Sequence, residues 1–297
     1  MGGGNGRSTL LVFTRAPQRV VSLVPSMTDT LLEFGAGDSL VGVTDYCRLS
    51  EELGAKVTRV GGTRTADAAV IRSLSPDIVL ANQEENTRQL VEDLEGAGVP
   101  VWVTFPRSVR EAMDVLWLVI ELFRLARSAP ALQVLEAALE WTMRAAQESQ
   151  RPRVFCPIWH DRTPGGEPWW MTFNAGAYAH DVLWVCGGEN AFAARERRFP
   201  LEADLGLAAD EDAAGRDTRY PRVGLAEVVA AQPEVILLPD EPFQFDEAHE
   251  VSLREMLGAT PAVRQGRVHR VDGTLLTWHG ARLGRALTDL PGLLQPR

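Results

Sequence analysis

Apolar and polar positions alternate along this chain in blocks whose lengths predict strands separated by helices. Short runs rich in Val, Ile and Leu have the length of buried strands, and segments with helical periodicity lie between them. In the first part, the predicted strands are residues 19–25, 40–44, 78–81 and 99–104, and the predicted helices are 27–34, 66–74 and 87–97. This order indicates a parallel sheet covered by helices on both faces. Ser26 is predicted to cap the first helix.

The middle of the chain has a different pattern. From Ser108 to Gln150 no segment has the composition of a strand, and two helices are predicted there. The first covers residues 108–127, and the second runs from Pro130, which suits a first helical turn, to about residue 149. The second helix would be roughly 28 Å long.

The alternation of strands and helices resumes after residue 150. The predicted strands are 154–159, 235–238 and 268–271, and the predicted helices are 175–186, 225–231 and 280–290. We therefore predict an α/β fold with two Rossmann-like parallel-sheet lobes, joined by a long rigid helix and with a ligand cleft between the lobes. The predicted parts are an N-terminal extension (1–18), a first lobe (19–107), a helical connector (108–150) and a second lobe (151–297).

An internal repeat supports two related lobes. The segment AAVIRSLSPDIVLANQE, from Ala68, matches LAEVVAAQPEVILLPDE, from Leu225, as a helix, a turn with proline and an acidic residue, an apolar strand and a polar loop. Because the match includes the turn and the strand length, we interpret it as a duplicated architecture.

Charge and composition narrow the function. The net charge is −10 over 297 residues and no cluster of basic residues overrides it, so a nucleic-acid partner is not expected. No apolar run approaches the roughly 18 residues that span a bilayer. The apolar piece at 10–13 is shorter than the core of a secretory signal, which indicates a cytoplasmic location for the chain as written. The three cysteines are far apart and are expected to be free, buried thiols.

Ligands of open α/β sheets bind outside the carboxyl ends of the strands. Aromatic residues make up only 7% of this chain, yet they concentrate at these ends. Two lobes lined in this way would form an aromatic cleft with a few polar anchors, which suits a large flat or macrocyclic ligand. The predicted ligand contacts are Ser26, Tyr46, Gly62, Glu84, Glu85, Phe105, Trp159, Trp170, Arg219, Tyr220, Trp278 and Arg282.

Other site chemistries find less support. The five histidines all lie in the second lobe, whereas a metal site in the cleft would draw ligands from both lobes, so neither a metal site nor a cofactor is predicted. His160 and His279 could still contact a metal that a ligand carries. The pairs Glu84–Glu85 and Asp240–Glu241 are interpreted as loop or ligand-contacting charges, and no GxSxG or GxGxxG motif is present. The chain is therefore predicted not to be an enzyme.

A polar insertion precedes Arg219 and Tyr220. It comprises Arg195–Arg198 and an acidic run over residues 204–217. Two interpretations remain open for it: an exposed loop, or a rim that becomes ordered over the ligand.

The segment RVVSLVPSMTDTLLEFGAGDSLVGVTDYC resembles the opening of the cobalamin-binding and iron-siderophore-binding proteins of bacterial ABC importers. Similar stretches continue over nearly the whole chain from Arg19, namely SPDIVLANQEEN, GVPVWVTFPRSVREAM, CGGENAFA, QPEVILLPDEP and TLLTWHGAR. The resemblance implies two α/β lobes joined by a rigid backbone helix and a location in the periplasm or at the cell surface.

The resemblance also implies roles for single residues. Tyr46 matches a tyrosine that contacts cobalamin, and Trp278 and Arg282 lie in the segment that supplies late pocket residues. In these proteins a glutamate on each lobe docks onto the permease, but here the matching positions are Ala69 and Ala226. Glu227 is adjacent to the second position, so a shift of one residue would restore that carboxylate.

These observations favour a non-enzymatic, monomeric binding protein for a small-molecule ligand. The ligand would be a corrinoid such as cobalamin, or a chelated iron, captured in the cleft as in ABC-type import, with a permease as the further partner. The alternative is a cytosolic enzyme or chaperone that handles such a compound in the same cleft.

Overall fold

A computed structural model of the chain describes residues 14–295, so most of the predicted N-terminal extension lies outside the described residues. The chain divides into two compact units. The first contains the described residues up to Phe105 together with Asp114–Leu132, and the second contains Pro106–Met113 and the chain from Gln133 onward. Each unit has a parallel sheet of its own.

Five parallel strands form the sheet of the first unit. They are β1 (Val20–Ser22), β2 (Leu40–Val43), β3 (Thr58–Arg59), β4 (Ile78–Asn82) and β5 (Val101–Thr104). The helices among them are α1 (Pro25–Glu33), α2 (Glu51–Gly54), α3 (Ala68–Ser73) and α4 (Arg88–Gly96). The strand order is β3-β2-β1-β4-β5. The predicted strands and helices of this part are confirmed with ends displaced by at most three residues, whereas β3 and α2 were not predicted.

Both faces of this sheet are buried, which explains its continuous apolar strands. Val20, Ile78 and Leu80 pack into one hydrophobic cluster, whereas their chain neighbours Val21 and Val79 pack into another. Because side chains alternate between the faces of a strand, the two clusters lie on opposite faces of the sheet. Helix α1 contributes to the first cluster, and helices α3 and α4 contribute to the second.

Two longer helices occupy the middle of the chain, α5 (Val109–Leu122) and α6 (Ala129–Gln147). The division between the units falls within both. The 19 residues of α6 make it about 28 Å long, as predicted. Helix α5 ends before its predicted end at residue 127, because Arg124 has a φ of 57°, where a right-handed helix cannot continue. A single 3-10 turn, Ala126–Ser128, joins the two helices.

The second unit contains two sheets. The first is a parallel sheet of strands β6 (Arg153–Phe155), β9 (Glu189–Asn190), β11 (Val235–Pro239) and β12 (Val268–Val271), in the order β12-β11-β6-β9. The second is an antiparallel sheet of strands β7 (Trp159–Arg162), β8 (Pro168–Met171) and β10 (Arg222–Gly224), in the order β10-β8-β7.

The prediction of one strand over residues 154–159 was wrong. Strand β6 ends at Phe155, and Trp159 begins β7 in the antiparallel sheet. Pro157 lies between them, and since proline has no N–H to donate, this apolar run does not continue as a central strand. The antiparallel sheet was not predicted, because β7 and β10 are short and largely polar.

Helices complete the second unit. They are α7 (Tyr178–Val185), α8 (Leu201–Asp204), α9 (Leu225–Ala231), α10 (Glu247–Met256), α11 (Pro261–Arg264), α12 (Thr274–Thr277), α13 (Leu283–Asp289) and α14 (Pro291–Leu294). Helix α9 has its predicted bounds, and α13 begins three residues after its predicted start. Helix α10 was not predicted, and its first turn is closed by Asp246, whose Oδ1 accepts a hydrogen bond from the His249 N–H at 3.0 Å.

The internal repeat is confirmed for one helix–strand pair in each unit. Helix α3 and strand β4 correspond to helix α9 and strand β11, and β11 lies 157 residues after β4 at both of its ends. Both strands are buried along their whole length. The same local pattern therefore builds an equivalent element in each sheet.

Two whole-chain expectations can be compared with the structure. Cys47, Cys156 and Cys186 are free and buried, as predicted. Within residues 14–295, no helix combines the length and the apolar character needed to cross a membrane.

Candidate functional site

A buried asparagine braces the carboxyl edge of the first sheet. The Asn86 side-chain Nδ2 donates to the Leu23 carbonyl at 3.2 Å and to the Thr63 carbonyl at 2.9 Å. Its Oδ1 accepts a hydrogen bond from the Asn82 N–H at 2.8 Å. One amide therefore ties together the loops that follow β1, β3 and β4. Sequence reasoning placed Asn86 at this edge but did not identify it as the link between the loops.

Tyr46 projects from this edge after β2. Its side chain is 66% exposed, and its ring lies against Gly62. A Cβ at position 62 would stand 3.5 Å from Tyr46 Cε2 and 2.8 Å from Thr65 Oγ1, so glycine makes room for both neighbours. The Asp45 N–H donates to the Gly61 carbonyl at 2.9 Å, which holds the two loops together. Tyr46 thus presents an exposed ring on a fixed support.

Glu84, Glu85 and Phe105 lie at the carboxyl ends of the neighbouring strands β4 and β5, and all three are half-buried. The backbone of Glu84 is held on both sides, since its N–H donates to Asn82 Oδ1 at 2.8 Å and its carbonyl accepts from Arg64 Nη2 at 2.8 Å. The first sheet therefore brings Tyr46, Gly62 and these three residues to one edge.

The prediction that Ser26 caps the first helix was wrong. Helix α1 begins at Pro25, because proline fits a first helical position, and Val24 is the N-cap. Ser26 is therefore inside the first turn and only 2% exposed. Its hydroxyl oxygen is buried and makes no hydrogen bond to the residues of 14–295.

Of the three tryptophans predicted to contact ligand in the second unit, Trp159 is exposed, Trp278 is half-buried and Trp170 is buried. Trp159 is 42% exposed and packs edge-on against Phe243, with ring centroids 5.5 Å apart. Trp170 is only 1% exposed. Its ring stacks on His160 at 5.5 Å and meets Phe155 edge-on at 6.1 Å. Trp170 is a core residue because it lies inside β8, not at a strand end as the sequence had indicated.

Arg219 and Tyr220 precede β10 and are both half-buried. The Arg219 guanidinium forms a forked ion pair with Asp217, with Nε–Oδ1 at 2.9 Å and Nη2–Oδ2 at 2.7 Å. It also lies 5.2 Å from the centre of the Tyr220 ring. Burial alone would raise the pKa of Asp217, but the hydrogen bonds from Arg219 lower it below its usual value. Arg219 is thus held in place by a carboxylate and a ring.

Trp278 and Arg282 follow α12 and are half-buried, with the Arg282 guanidinium 5.8 Å from the centre of the Trp278 ring. His279 lies between them in sequence and is buried against the edge of the Tyr178 ring. Burial lowers the pKa of His279 to about 4, so the imidazole is neutral near pH 7.

A cavity of about 240 Å³ in the second unit was not anticipated. His160, Trp170, Phe245 and His249 contribute to its lining. His160 Nδ1 is 3.0 Å from the Trp169 carbonyl oxygen, and burial lowers the pKa of His160. Among residues 14–295, no group of three or more His, Cys, Asp or Glu side chains is placed to hold a metal ion.

The positions that match the docking glutamates are both on helix surfaces. Ala69 is exposed on α3 and Ala226 is exposed on α9. Glu227, the neighbouring carboxylate, accepts a hydrogen bond from Arg195 Nε at 2.7 Å. Glu227 is therefore engaged within its own unit.

Known proteins resemble this chain in sequence and in fold. A sequence model of the periplasmic binding protein family matches residues 20–275. The vitamin B12-binding protein of Yersinia pestis (strain Pestoides F) is 24% identical over 276 residues, which cover 91% of this chain and 86% of the relative.

Two solved structures share the fold. The periplasmic vitamin B12 binding protein BtuF of Vibrio cholerae has a TM-score of 0.70 at 20% identity, covering 93% of this chain and 96% of that one. The periplasmic heme-binding protein RhuT from Roseiflexus sp. RS-1, in apo form, has a TM-score of 0.68 at 22% identity, covering 93% of this chain and 97% of that one. Since the family match extends over most of the chain and the α/β fold agrees with it, this chain belongs to the periplasmic binding protein family.

Proposed function

We propose that this protein is a substrate-binding protein that captures a corrinoid or a chelated-iron ligand, as in ABC-type import. The family match supports a binding role, and the relatives include proteins named for vitamin B12 and for heme. Both compounds are large, flat macrocycles that hold a metal ion. The proposed ligand class thus follows from the relatives. Which compound of that class the protein binds is to be determined by titration.

Exposed aromatic rings carry this proposal. Tyr46 follows β2 in the sheet of the first unit. Trp159 comes four residues after the end of β6, which belongs to the parallel sheet of the second unit. Each ring is supported from behind, Tyr46 by Gly62 and Trp159 by Phe243. Large rigid aromatic surfaces gain contact area with a flat ligand and lose little side-chain freedom on binding. The remaining proposed contacts are Gly62, Glu84, Glu85, Phe105, Arg219, Tyr220, Trp278 and Arg282.

We infer that the protein binds its ligand without transforming it. The members of the family named above are binding proteins, and the carboxylate pair at Glu84 and Glu85 is suited to contacting a polar edge of a ligand. The competing role, an enzyme or chaperone for such a compound, is favoured by one observation. Alanine occupies both positions at which docking glutamates are expected, and the nearby Glu227 accepts a hydrogen bond from Arg195, so neither alanine position supplies a carboxylate for a permease.

Ligand titration tests the proposal. Cyanocobalamin, cobinamide, haem and a ferric siderophore would each be added to the protein, with tryptophan fluorescence as the readout and calorimetry as confirmation. Because Trp159 is exposed at the proposed site, we expect quenching that saturates with at least one of these ligands. A Trp159→Phe variant should lose part of the quenching, whereas a Trp141→Phe variant, changed at an exposed position on α6, should not. No binding of any of the four ligands would overturn the proposal.

A further inference from the structure

The polar insertion of the second unit contains a buried carboxylate surrounded by arginines. Asp204, the last residue of α8, is fully buried. Its Oδ1 accepts from the Arg198 N–H at 2.9 Å and from Arg195 Nη1 at 3.0 Å, and its Oδ2 accepts from the Arg222 N–H at 2.8 Å. One end of the insertion is therefore an ordered structure built around Asp204, whereas residues 206–217 are exposed apart from Ala213, as the exposed-loop interpretation expects.

This arrangement brings Arg197 and Arg222 together. The backbone of Arg198 and the backbone of Arg222 bind the two oxygens of the same carboxylate, and Arg197 directly precedes Arg198. The Arg197 N–H donates to the Thr218 carbonyl at 2.9 Å, which fixes its backbone as well. Two positive side chains are thus held near each other by a rigid frame.

The nearby carboxylates are already engaged with Arg195. Arg195 bonds Asp204 and also Glu227, through Nε at 2.7 Å. Burial lowers the pKa of Arg195, but the hydrogen bonds that it donates to these two carboxylates, together with their charges, outweigh that effect and raise it. Arg195 is therefore paired with two carboxylates, of which Asp204 also acts through its charge on Arg197 and Arg222.

Arg197 and Arg222 lack such compensation. The Arg197 guanidinium lies 4.3 Å from the centre of the Phe199 ring and makes no ion pair or side-chain hydrogen bond within residues 14–295. The nearest carboxylate oxygen to Arg222 is Asp204 Oδ2, 4.0 Å from Nη1. The Nε of each is buried without a hydrogen-bond partner. Burial lowers the pKa of both, and the charge of Arg197 lowers the pKa of Arg222 further. The charge of Asp204 acts in the opposite direction on both, as does that of Asp217 on Arg197, but the pKa of each arginine stays below its usual value. A bound anion would therefore stabilise the two charged guanidinium groups.

We propose that Arg197 and Arg222 bind an oxyanion, either a carboxylate or a phosphate group, through their terminal guanidinium nitrogens. Guanidinium groups present planar, forked donors that match the geometry of such anions. Neither side chain is fully buried, so an anion can approach from solvent. The anion is either free in solution or part of a bound chelate, and only the second case rests on the function proposed above.

Calorimetry with inorganic phosphate tests the free-anion case. In a chloride buffer of low ionic strength, we expect one saturable site for phosphate in the unchanged protein. Arg197→Gln should weaken this binding at least about tenfold, since it removes a charged, forked donor. The matched control is Arg88→Gln, which removes the same charge from an exposed i,i+4 pair and should change the affinity less than about twofold.

Arg197→Gln should fold, because the side chain makes no hydrogen bond in the described part of the chain, and circular dichroism checks this. If it does not fold, Arg197→Lys keeps the charge without the fork and should still lose several-fold affinity.

Haem and its dimethyl ester test the chelate case, since the ester lacks free carboxylates. If the anion is a carboxylate of the bound chelate, Arg197→Gln should weaken the binding of haem but not that of the ester. Equal phosphate affinity in the parent and the variant would overturn the proposal. The proposal would also be overturned if phosphate does not bind and Arg197→Gln leaves the affinity for haem unchanged. The proposed function fails separately, if no ligand binds while phosphate still does.

Discussion

The exposed rings of Tyr46 and Trp159 are supported by neighbours of different kinds. Tyr46 rests on a glycine, so no side chain lies between its ring and the backbone of the next loop. Trp159 rests on the edge of Phe243, which belongs to the aromatic group that includes Phe245 and His249. Replacing Tyr46 therefore removes contact area and little packing, whereas the surroundings of Trp159 depend on several other rings.

Tyr46→Ala should weaken ligand binding roughly tenfold and leave the thermal midpoint within about 1 °C of the parent. The reason is that an exposed ring contributes surface for contact and almost nothing to the core. Fluorescence titration, with whichever of the four candidate ligands binds, measures the first effect, and thermal unfolding measures the second. Trp141→Ala, another exposed aromatic truncation, should leave the affinity unchanged. Normal binding by Tyr46→Ala would mean that the site lies elsewhere.

His279 should make the protein less stable in mild acid. Its pKa of about 4 lies below the value near 6.5 of an unfolded histidine, so the unfolded chain takes up the proton first as the pH falls. The contribution of neutral His279 to the free energy of unfolding is present above about pH 6.5 and is lost as the pH falls from there towards 4. Between pH 7 and pH 5 the loss should be about 2 kcal/mol. Urea unfolding at these two pH values measures it.

The control for this prediction is His279→Gln, which cannot take up the proton. In that variant the free energy of unfolding should fall less between pH 7 and pH 5, although the variant starts from a lower value. The same fall in parent and variant would assign the acid sensitivity to other groups.

At the scale of single residues, the position of a residue could be predicted from the sequence where the residue directly follows a predicted strand. Tyr46 and Glu84 were placed correctly at the carboxyl edge, because the strands before them are apolar runs of clear length. Ser26 and Trp170 were misplaced, since a proline moved the start of one helix and an unpredicted hairpin turned Trp170 into the core. Their burial depends on contacts that are distant in sequence.

At the scale of elements, most of the buried strands and the helices that flank them could be predicted with ends displaced by at most three residues, the run over 154–159 being the exception. Strand β12 and helix α9 match prediction residue for residue. The antiparallel sheet could not be predicted, because its pairing joins β8 to a strand more than fifty residues later. Asp204 belongs to an acidic run in the sequence, and its fixation by three arginines could not be predicted, because those arginines lie before and after it outside any predicted element.

Asn86→Ala should loosen the carboxyl edge of the first sheet as a whole. The change leaves two buried carbonyl groups and one N–H without their partner, which should cost about 3 kcal/mol of unfolding free energy. Urea unfolding measures this loss, and hydrogen exchange should show faster exchange in the loops after β1, β3 and β4. Gln83→Ala, at an exposed position in the same loop, should be close to neutral. If Asn86→Ala leaves the free energy of unfolding unchanged, the loops do not depend on the Asn86 side chain for their stability.

At the scale of the whole molecule, the chain passes between its two units at three points. One lies in the loop between β5 and α5, and the other two lie within α5 and α6, of which α6 is the longest helix that the described residues form. Flexible linkers are rich in Gly and Ser, and neither helix contains Gly. The sequence predicted this helical connection from the absence of strand patterns over residues 108–150.

A helical connection should permit only a small change on ligand binding. We expect the radius of gyration, measured by small-angle scattering, to differ by less than about 1 Å between the free and the ligand-bound protein. The free protein measured twice sets the precision. A compaction of several ångströms would show that the connection between the units bends on ligand binding.

The three buried thiols make this chain a convenient frame for a fluorescent sensor. Thiol reagents attack the thiolate, and burial raises the pKa of Cys186 to about 12 and that of Cys156 further still. Cys47 is equally shielded, with its sulfur against the hydroxyls of Thr28 and Thr44. A maleimide dye should therefore attach almost exclusively to a cysteine introduced at the surface, and Gln83→Cys would put that dye at the same sheet edge as Tyr46. Capture of a macrocycle would then be reported as a change of colour or brightness, without any need to remove a native cysteine.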